Sequence, residues 1–221
     1  MNLKLYSYWR SSSAYRVRAA LHHKELPFEY APVNLLAAEH RTPEYLARSP
    51  LGHVPCLEVD GTPYVESVAI IELLDELFGE RPLLPTSAEG RAHVRALVEV
   101  VNSGTQPVQN LVVLQRLPEG ERAGWAKHFI ARGLEAYEGL LESFTRRGLR
   151  ADGYSYGEAL SMADLYLIPQ LYNAARFQVP LAPFPHVARV LATAEKLPAF
   201  VKAAPEVQPD APAGAVPPKN C

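Results

Sequence analysis

The stretch Leu3-Lys4-Leu5-Tyr6-Ser7-Tyr8-Trp9-Arg10 runs directly into Ser11-Ser12-Ser13-Ala14-Tyr15-Arg16-Val17-Arg18. It reads as a short strand that turns sharply into a helix. Such a junction aims the unpaired backbone N–H groups and the positive dipole end of the helix at one spot, where an anion can be held. Three hydroxyls and two arginines, Arg10 and Arg16, surround that spot, and no cysteine is among them.

The bulk properties narrow the possibilities around this junction. A chain of 221 residues, 48% hydrophobic, is long enough for two small domains and can bury a substantial core. The formal net charge is -2, with both signs mixed along the chain, so a nucleic acid or an anionic membrane is not an expected partner. No apolar run approaches the roughly 20 residues of a membrane span, and the start lacks a signal-peptide pattern, so a cytoplasmic location is expected. Cys56 and Cys221 are the two cysteines, which makes a disulfide framework improbable. No metal site is expected: His22-His23 lie side by side on a helix, point to different sides and lack further ligands.

Further along, Phe28 to Val33 has strand character, Pro43 to Ser49 that of a short helix, and Val54 to Val59 that of a third strand. Asp60-Gly61 makes a hairpin turn into Tyr64-Val65, and Ser67 opens a helix with Val68, Ile70, Ile71, Leu74, Leu77 and Phe78 at helical spacing. Gly79 to Pro85 is turn-rich. Helical patterns then cover Ser87–Leu114, Glu119–Phe144, Ser161–Phe177, Pro185–Leu197 and Pro198–Ala204, with Ser161-Met162-Ala163-Asp164 as a capping-box start. Pro205 to Cys221 has no amphipathic period and reads as irregular. The expected fold class is α/β plus all-α: an N-terminal thioredoxin-like domain over residues 1–80, followed by an all-helical C-terminal domain over 87–221.

In thioredoxin-like folds the first strand-to-helix junction carries the chemistry, and a redox member has Cys-x-x-Cys there. A serine hydroxyl cannot exchange disulfides, but it can donate to a thiolate brought in by another molecule, which points to a glutathione-binding site. Together these features resemble the glutathione transferase fold, and specifically its zeta class, the maleylacetoacetate isomerase family. The family signature Ser-Ser-Cys-x-x-Arg-Val-Arg is matched by Ser11 to Arg18 with Ser13 in place of the cysteine. Asn34-Leu35, Val54-Pro55, Ser67 to Glu72, Gln106 to Leu111, Met162 to Leu165, Asn173 to Phe177 and Gln208-Pro209-Asp210 also resemble family segments, so the match spans nearly the whole chain.

The resemblance implies cis–trans isomerisation of maleylacetoacetate to fumarylacetoacetate in aromatic amino-acid catabolism, with glutathione as a cofactor regenerated each turn. It implies that Ser11, with Ser12 beside it, stabilises the thiolate, although helix capping alone would also account for both hydroxyls. Ser13 rules out any step that needs a protein thiol at that position. Arg10 and Arg176 become the forks for a dicarboxylate substrate, with an ordinary salt bridge the alternative for Arg176. Pro55 is the expected cis-proline, turning the Val54 backbone towards the cysteinyl part of glutathione. Ser67 suits the γ-glutamyl carboxylate or simple N-capping. Glu66 stands where the family commonly has Gln, and its charge would favour the ligand's ammonium and repel its carboxylate. His40, Gln106 and Asn110 match positions at the glutathione site or its rim. The family also implies a homodimer.

Three other readings remain open. Maleylpyruvate isomerase is the nearest, although its relatives resemble a pattern with histidine and extra arginine where this chain has Gln106 and Leu111. A glutathione transferase acting on small α-halo acids would consume glutathione. A non-catalytic interaction module would keep the fold and lose the Arg10, Ser11, Ser67 and Arg176 set.

Overall fold

A computed structural model describes residues 1–218; Lys219, Asn220 and Cys221 lie outside the described residues. The contacts divide the chain into two compact units, residues 1–81 with 197–217, and residues 82–196.

The first unit begins with β1 (Leu3–Ser7), α1 (Ser12–His23) and β2 (Glu29–Pro32), a βαβ crossover whose strands pair in parallel with Leu5 opposite Tyr30. A 3-10 turn, Glu39–Arg41, and the short α2 (Pro43–Leu46) lead to the hairpin of β3 (Cys56–Val59) and β4 (Thr62–Val65), then α3 (Ser67–Leu77). The sheet order is β2-β1-β3-β4, with β3 antiparallel to both of its neighbours. Alternation along β1 buries Leu3, Leu5 and Ser7 and turns Tyr6 to the other face, where its ring meets Tyr45 of α2 edge-on at 6.1 Å. Ala14, Val17, Ala19, Ala20 and Leu21 of α1 are fully buried or nearly so.

Lys24, just past the end of α1, closes the lower edge of this unit. Its ammonium is buried, pairs with Asp75 at 2.7 Å, and donates to the carbonyls of Phe78 at 2.8 Å, Glu80 at 3.1 Å and Arg81 at 3.3 Å. One cation thereby ties down the carbonyl of the C-cap residue Phe78 and two carbonyls of the turn beyond α3, where a positive charge is also favoured by the dipole.

Helix α9 (Pro198–Ala203) and the 3-10 turn Pro205–Val207 group with this first unit, whereas the sequence reading gave them to the second domain. The reason is packing on α1: the ring of Phe200 meets Tyr15 edge-on at 6.4 Å, and the Phe200 carbonyl accepts from the Tyr15 hydroxyl at 3.3 Å. The expected irregularity from Pro205 onward holds for residues 208–218, which form no regular element, and gives way only to the 3-10 turn Pro205–Val207. Gln208 is buried, and its amide donates to the carbonyls of Lys202 and Ala204 at 2.9 and 2.8 Å.

The second unit is built on α4 (Ala88–Asn102), α6 (Glu119–Arg146), α7 (Met162–Arg176) and α8 (Pro185–Ala194), with the short α5 (Leu111–Leu114). The continuous helical pattern read over Ser87–Leu114 is interrupted. After Asn102 the chain passes through Gly104 and Pro107 into a 3-10 turn, Pro107–Gln109, since glycine is a weak helix former and proline lacks the N–H that would continue the ladder. Gly133 on α6 permits this turn to pack closely, because a Cβ there would collide with the side chain of Thr105.

Helix α7 is buried on nearly every side from Met162 to Leu171, which makes it the centre of this unit. Its start is fixed by Asp164, whose carboxylate accepts from the Ser161 N–H at 2.8 Å, the Ser161 hydroxyl at 3.0 Å and the Ser155 N–H at 2.8 Å. Burial pushes the Asp164 carboxyl up, and these donors pull it back. The network continues through the Ser155 hydroxyl, which accepts from the buried Tyr137 at 2.9 Å. Asp164→Ala would strand the donors in the core. It is expected to cost about 3 kcal/mol of unfolding free energy, read from the shift of the urea midpoint, and a loss below about 1 kcal/mol would show the network to be dispensable.

Candidate active site at the first strand-to-helix junction

The junction is tight. The Ser11 N–H donates to the Tyr8 carbonyl at 2.9 Å, and the Ser11 carbonyl accepts from Tyr15 to begin α1. Ser11 is the N-cap, in extended conformation, and its Oγ accepts from the Ala14 N–H at 3.2 Å. This bond uses an acceptor lone pair of the hydroxyl and leaves the hydroxyl proton to donate outward, so capping and thiolate stabilisation are compatible. Ser12 and Ser13 fill the first turn, half-buried, and no acidic residue stands there to neutralise the dipole. The Arg10 guanidinium lies over the Trp9 ring at 5.3 Å, a cation–π contact that orients the fork.

Arg18 holds the junction from beneath. It is fully buried, and donates to the Ala203 carbonyl at 3.0 Å, the Ser7 hydroxyl at 3.0 Å, the Tyr8 carbonyl at 3.3 Å and the Trp9 carbonyl at 2.9 Å. Burial lowers its pKa to about 10, which leaves it charged at neutral pH. Asp210 grips the same segment, accepting from the Trp9 N–H at 2.9 Å and the Tyr30 hydroxyl at 2.6 Å. Burial, followed by the bond to Asp210, holds the Tyr30 phenol protonated well above its ordinary range.

A second part of the site comes from the loop before β3. The Val54–Pro55 peptide is cis, as the sequence led one to expect. Val54 precedes the first ladder pair of β3, which begins at Cys56, and it packs in a buried cluster with Tyr8, Val33, Tyr45 and Cys56, against which Trp9 lies. The preceding residue is pinned: the His53 carbonyl accepts from Tyr45 at 2.7 Å and from the buried Ser49 at 3.0 Å. Gly52 has φ +62, and a Cβ there would come within 2.6 Å of the His40 carbonyl, so only glycine permits this approach. Sequence reasoning did not single out Ser49 or Gly52; the run Gly52-His53-Val54-Pro55 was the available signal. His40 is half-buried, with Nδ1 lacking a hydrogen-bond partner among the described residues. Burial, then Arg41 and His53, lower its pKa, so the imidazole is neutral at neutral pH.

The third part is the start of α3. Glu66 is exposed and adopts φ 67, ψ 120, a conformation costing about 1–3 kcal/mol for a residue with a side chain. Ser67 follows, buried, its hydroxyl accepting from Arg16 Nη1 at 3.2 Å. A buried guanidinium therefore stands behind the hydroxyl at this helix N-terminus, and the charge adds to the dipole in favouring an anion.

Cys56 is fully buried, and burial pushes its thiol up to about 11. With serine at position 13, no described residue offers a reactive thiolate. Cys221 lies outside the described residues.

In the helical unit, Gln106 and Asn110 flank the turn Pro107–Gln109, both half-buried, and Asn110 caps α5 through Val112 at 3.5 Å. The buried amide of this segment is Gln109, which donates to Gln170 on α7 at 2.6 Å. Arg176 ends α7, exposed, with Nη1 on the Asn173 side-chain oxygen at 3.0 Å and its guanidinium 5.7 Å from the Phe177 ring centre.

Comparison with known proteins accords with this arrangement. Residues 1–76 match the family described as the glutathione S-transferase N-terminal domain. Probable maleylacetoacetate isomerase 2 of Drosophila melanogaster is 44% identical over 210 residues, 94% of this chain and 90% of that protein. The structure of a maleylpyruvate isomerase, a bacterial zeta-class glutathione S-transferase, superposes with a TM-score of 0.89 at 38% identity, covering 95% of this chain and all of that one. Maleylacetoacetate isomerase from Anaeromyxobacter dehalogenans, solved with dicarboxyethyl glutathione and citrate in its active site, gives 0.84 at 48% identity, covering 96% of this chain and 98% of that one. With full-length identity at this level and the serine-lined junction in place, the chain belongs to the zeta class of glutathione transferases, the maleylacetoacetate isomerase family.

Proposed function

We propose that this chain is a glutathione-dependent isomerase that converts maleylacetoacetate to fumarylacetoacetate. The observation that carries the reading is the junction itself: a capped helix N-terminus with a free hydroxyl proton, flanked by Arg10 and backed by Arg18, on a chain with no described reactive thiol. Its donor set fits glutathione, which has two carboxylates, an ammonium and a thiol. The buried Ser67 hydroxyl with Arg16 behind it suits a carboxylate, Glu66 an ammonium, and the orphaned His40 Nδ1 and the Val54 backbone suit polar groups of a peptide.

When bound, glutathione supplies a thiolate that adds to the cis double bond, permits rotation about the resulting single bond, and departs. The Ser11 hydroxyl donates to that sulfur, with Ser12 and Ser13 beside it in the field of the helix N-terminus. Arg10 and, from the helical unit, Arg176 are the forks for the substrate's carboxylates, and Gln106 and Asn110 are the proposed rim residues.

Magnitudes rank these contributions. A thiol of pKa about 8.5 is roughly 3% ionised at pH 7, and a fall of about two units raises this about 25-fold. The same fall makes the sulfur roughly 6- to 10-fold less nucleophilic, which leaves a net gain of about 3-fold. Most of the acceleration must then come from alignment and from cationic stabilisation of the enolate formed on addition, which are tasks for the arginines.

The maleylpyruvate reading is the second choice. The relatives named as maleylacetoacetate isomerases span 33–48% identity and those named as maleylpyruvate isomerases 32–39%, so the two ranges overlap and the highest values belong to the former. No helix among the described residues is long and apolar enough to cross a membrane. A cytoplasmic, homodimeric enzyme completes the proposal.

Following the ultraviolet absorbance of maleylacetoacetate and of maleylpyruvate, each with and without glutathione, tests the activity directly. Glutathione-dependent loss of the cis isomer without net glutathione consumption is expected, faster with maleylacetoacetate; consumption would instead indicate conjugation. Ser11→Ala should lower kcat/KM by up to about threefold, the net gain that thiolate stabilisation offers, with Ser12→Ala milder. Full activity in Ser11→Ala would end that assignment. Light scattering at micromolar concentration should return twice the chain mass, and a monomer would refute the dimer.

A further inference from the structure

We propose that Asp210 is a positioning residue for the junction, acting through the Trp9 peptide; this rests on the function proposed above. Asp210 lies outside any regular element, in a short stretch reached by three prolines, Pro205, Pro209 and Pro212. An acid in such a stretch ordinarily faces water. This one is half-buried and commits both oxygens, one to the Trp9 N–H at 2.9 Å and one to the Tyr30 hydroxyl at 2.6 Å, partners 201 and 180 residues away.

The two backbone polar groups of Trp9 are thereby held by opposite charges. Its N–H donates to the Asp210 carboxylate and its carbonyl accepts from the Arg18 guanidinium at 2.9 Å. Charge-assisted bonds of this kind are shorter and about twice as strong as neutral ones, and together they fix the orientation of the residue they grip. Two groups depend on that orientation. The Trp9 ring is the platform under the Arg10 guanidinium, and the Trp9 peptide sets the turn in which the Ser11 N–H meets the Tyr8 carbonyl. Asp210 touches neither Arg10 nor Ser11 in any bond described, so its effect on both passes through Trp9. Gln208 holds the same segment differently, through the Lys202 and Ala204 carbonyls and with no bond to the junction.

This difference supplies the test. Hydrogen exchange of the Trp9 amide is measured in the protein without ligand for wild type, Asp210→Ala, Asp210→Asn and Gln208→Ala, and glutathione-dependent isomerase kinetics are measured for the same four. Asp210→Ala should speed Trp9 exchange and lower kcat/KM, each about tenfold, the equivalent of one hydrogen bond to a charged group. Asp210→Asn, which keeps an oxygen for the Trp9 N–H, should restore most of both. Gln208→Ala should lower thermal stability while leaving Trp9 exchange near wild type. Unchanged Trp9 exchange in Asp210→Ala, or an equal rise in Gln208→Ala, would overturn the proposal. A wild-type protein that fails to use glutathione would overturn the proposed function instead, and the exchange rates would still decide whether Asp210 holds Trp9.

Discussion

The strand-to-helix junction of the candidate site is referred to one buried charge, the Arg18 guanidinium. A fully buried cation is costly unless its donors are used, and here they reach the end of β1 at Ser7, the junction carbonyls of Tyr8 and Trp9, and the Ala203 carbonyl at the end of α9. A guanidinium suits this role because its donors spread in a rigid plane, whereas a lysine would present a single point. Strand, turn and terminal helix are thus locked to one rigid group, and the residues that would meet a ligand, Arg10 and Ser11, stand on the segment it clamps. The junction is therefore pre-organised before any anion arrives, which is the condition under which hydrogen-bond donors accelerate a reaction rather than merely bind its substrate.

The same logic recurs at the other two corners. Ser67 is backed by the buried Arg16, and the His53 carbonyl before the cis-proline is held by Ser49 and Tyr45. In each case a ligand-facing residue, or the one beside it, is fixed by a side chain that lies behind it. Arg16 and Arg18 are two residues apart on α1, so one helix supplies the hidden support for both the junction and the start of α3.

Much of this was legible in the sequence because the signals are local. The strand-to-helix junction, the hairpin at Asp60-Gly61, the Ser67 helix start and the Ser161–Asp164 box each declare themselves within a few residues. What escaped depends on distance. Pro205 to Asp210 carries no period because its order comes from the Gln208 amide and from an Asp210 carboxylate bonded to partners at Trp9 and Tyr30. The break after Asn102 was hidden because Leu97, Val98, Val101 and Leu114 continue an apolar pattern across Gly104 and Pro107. Gly52 needed the position of the His40 carbonyl to be understood, and Gln109 rather than its neighbours was the residue turned inward, towards Gln170.

The grouping of residues 197–217 with the first unit has a bearing on biosynthesis. A ribosome delivers the chain from its N-terminus, and domains ordinarily fold in the order in which they emerge. Here the sheet and its first helices emerge early, yet the Ala203 carbonyl that Arg18 requires and the carboxylate that Trp9 requires are translated only after the whole helical unit. The nascent first unit carries Arg18 with its partner set incomplete until residues 197–217 have been made. The part of the protein made first is in this way the part completed last, and a message truncated shortly before codon 200 would yield a finished helical unit attached to an unfinished site.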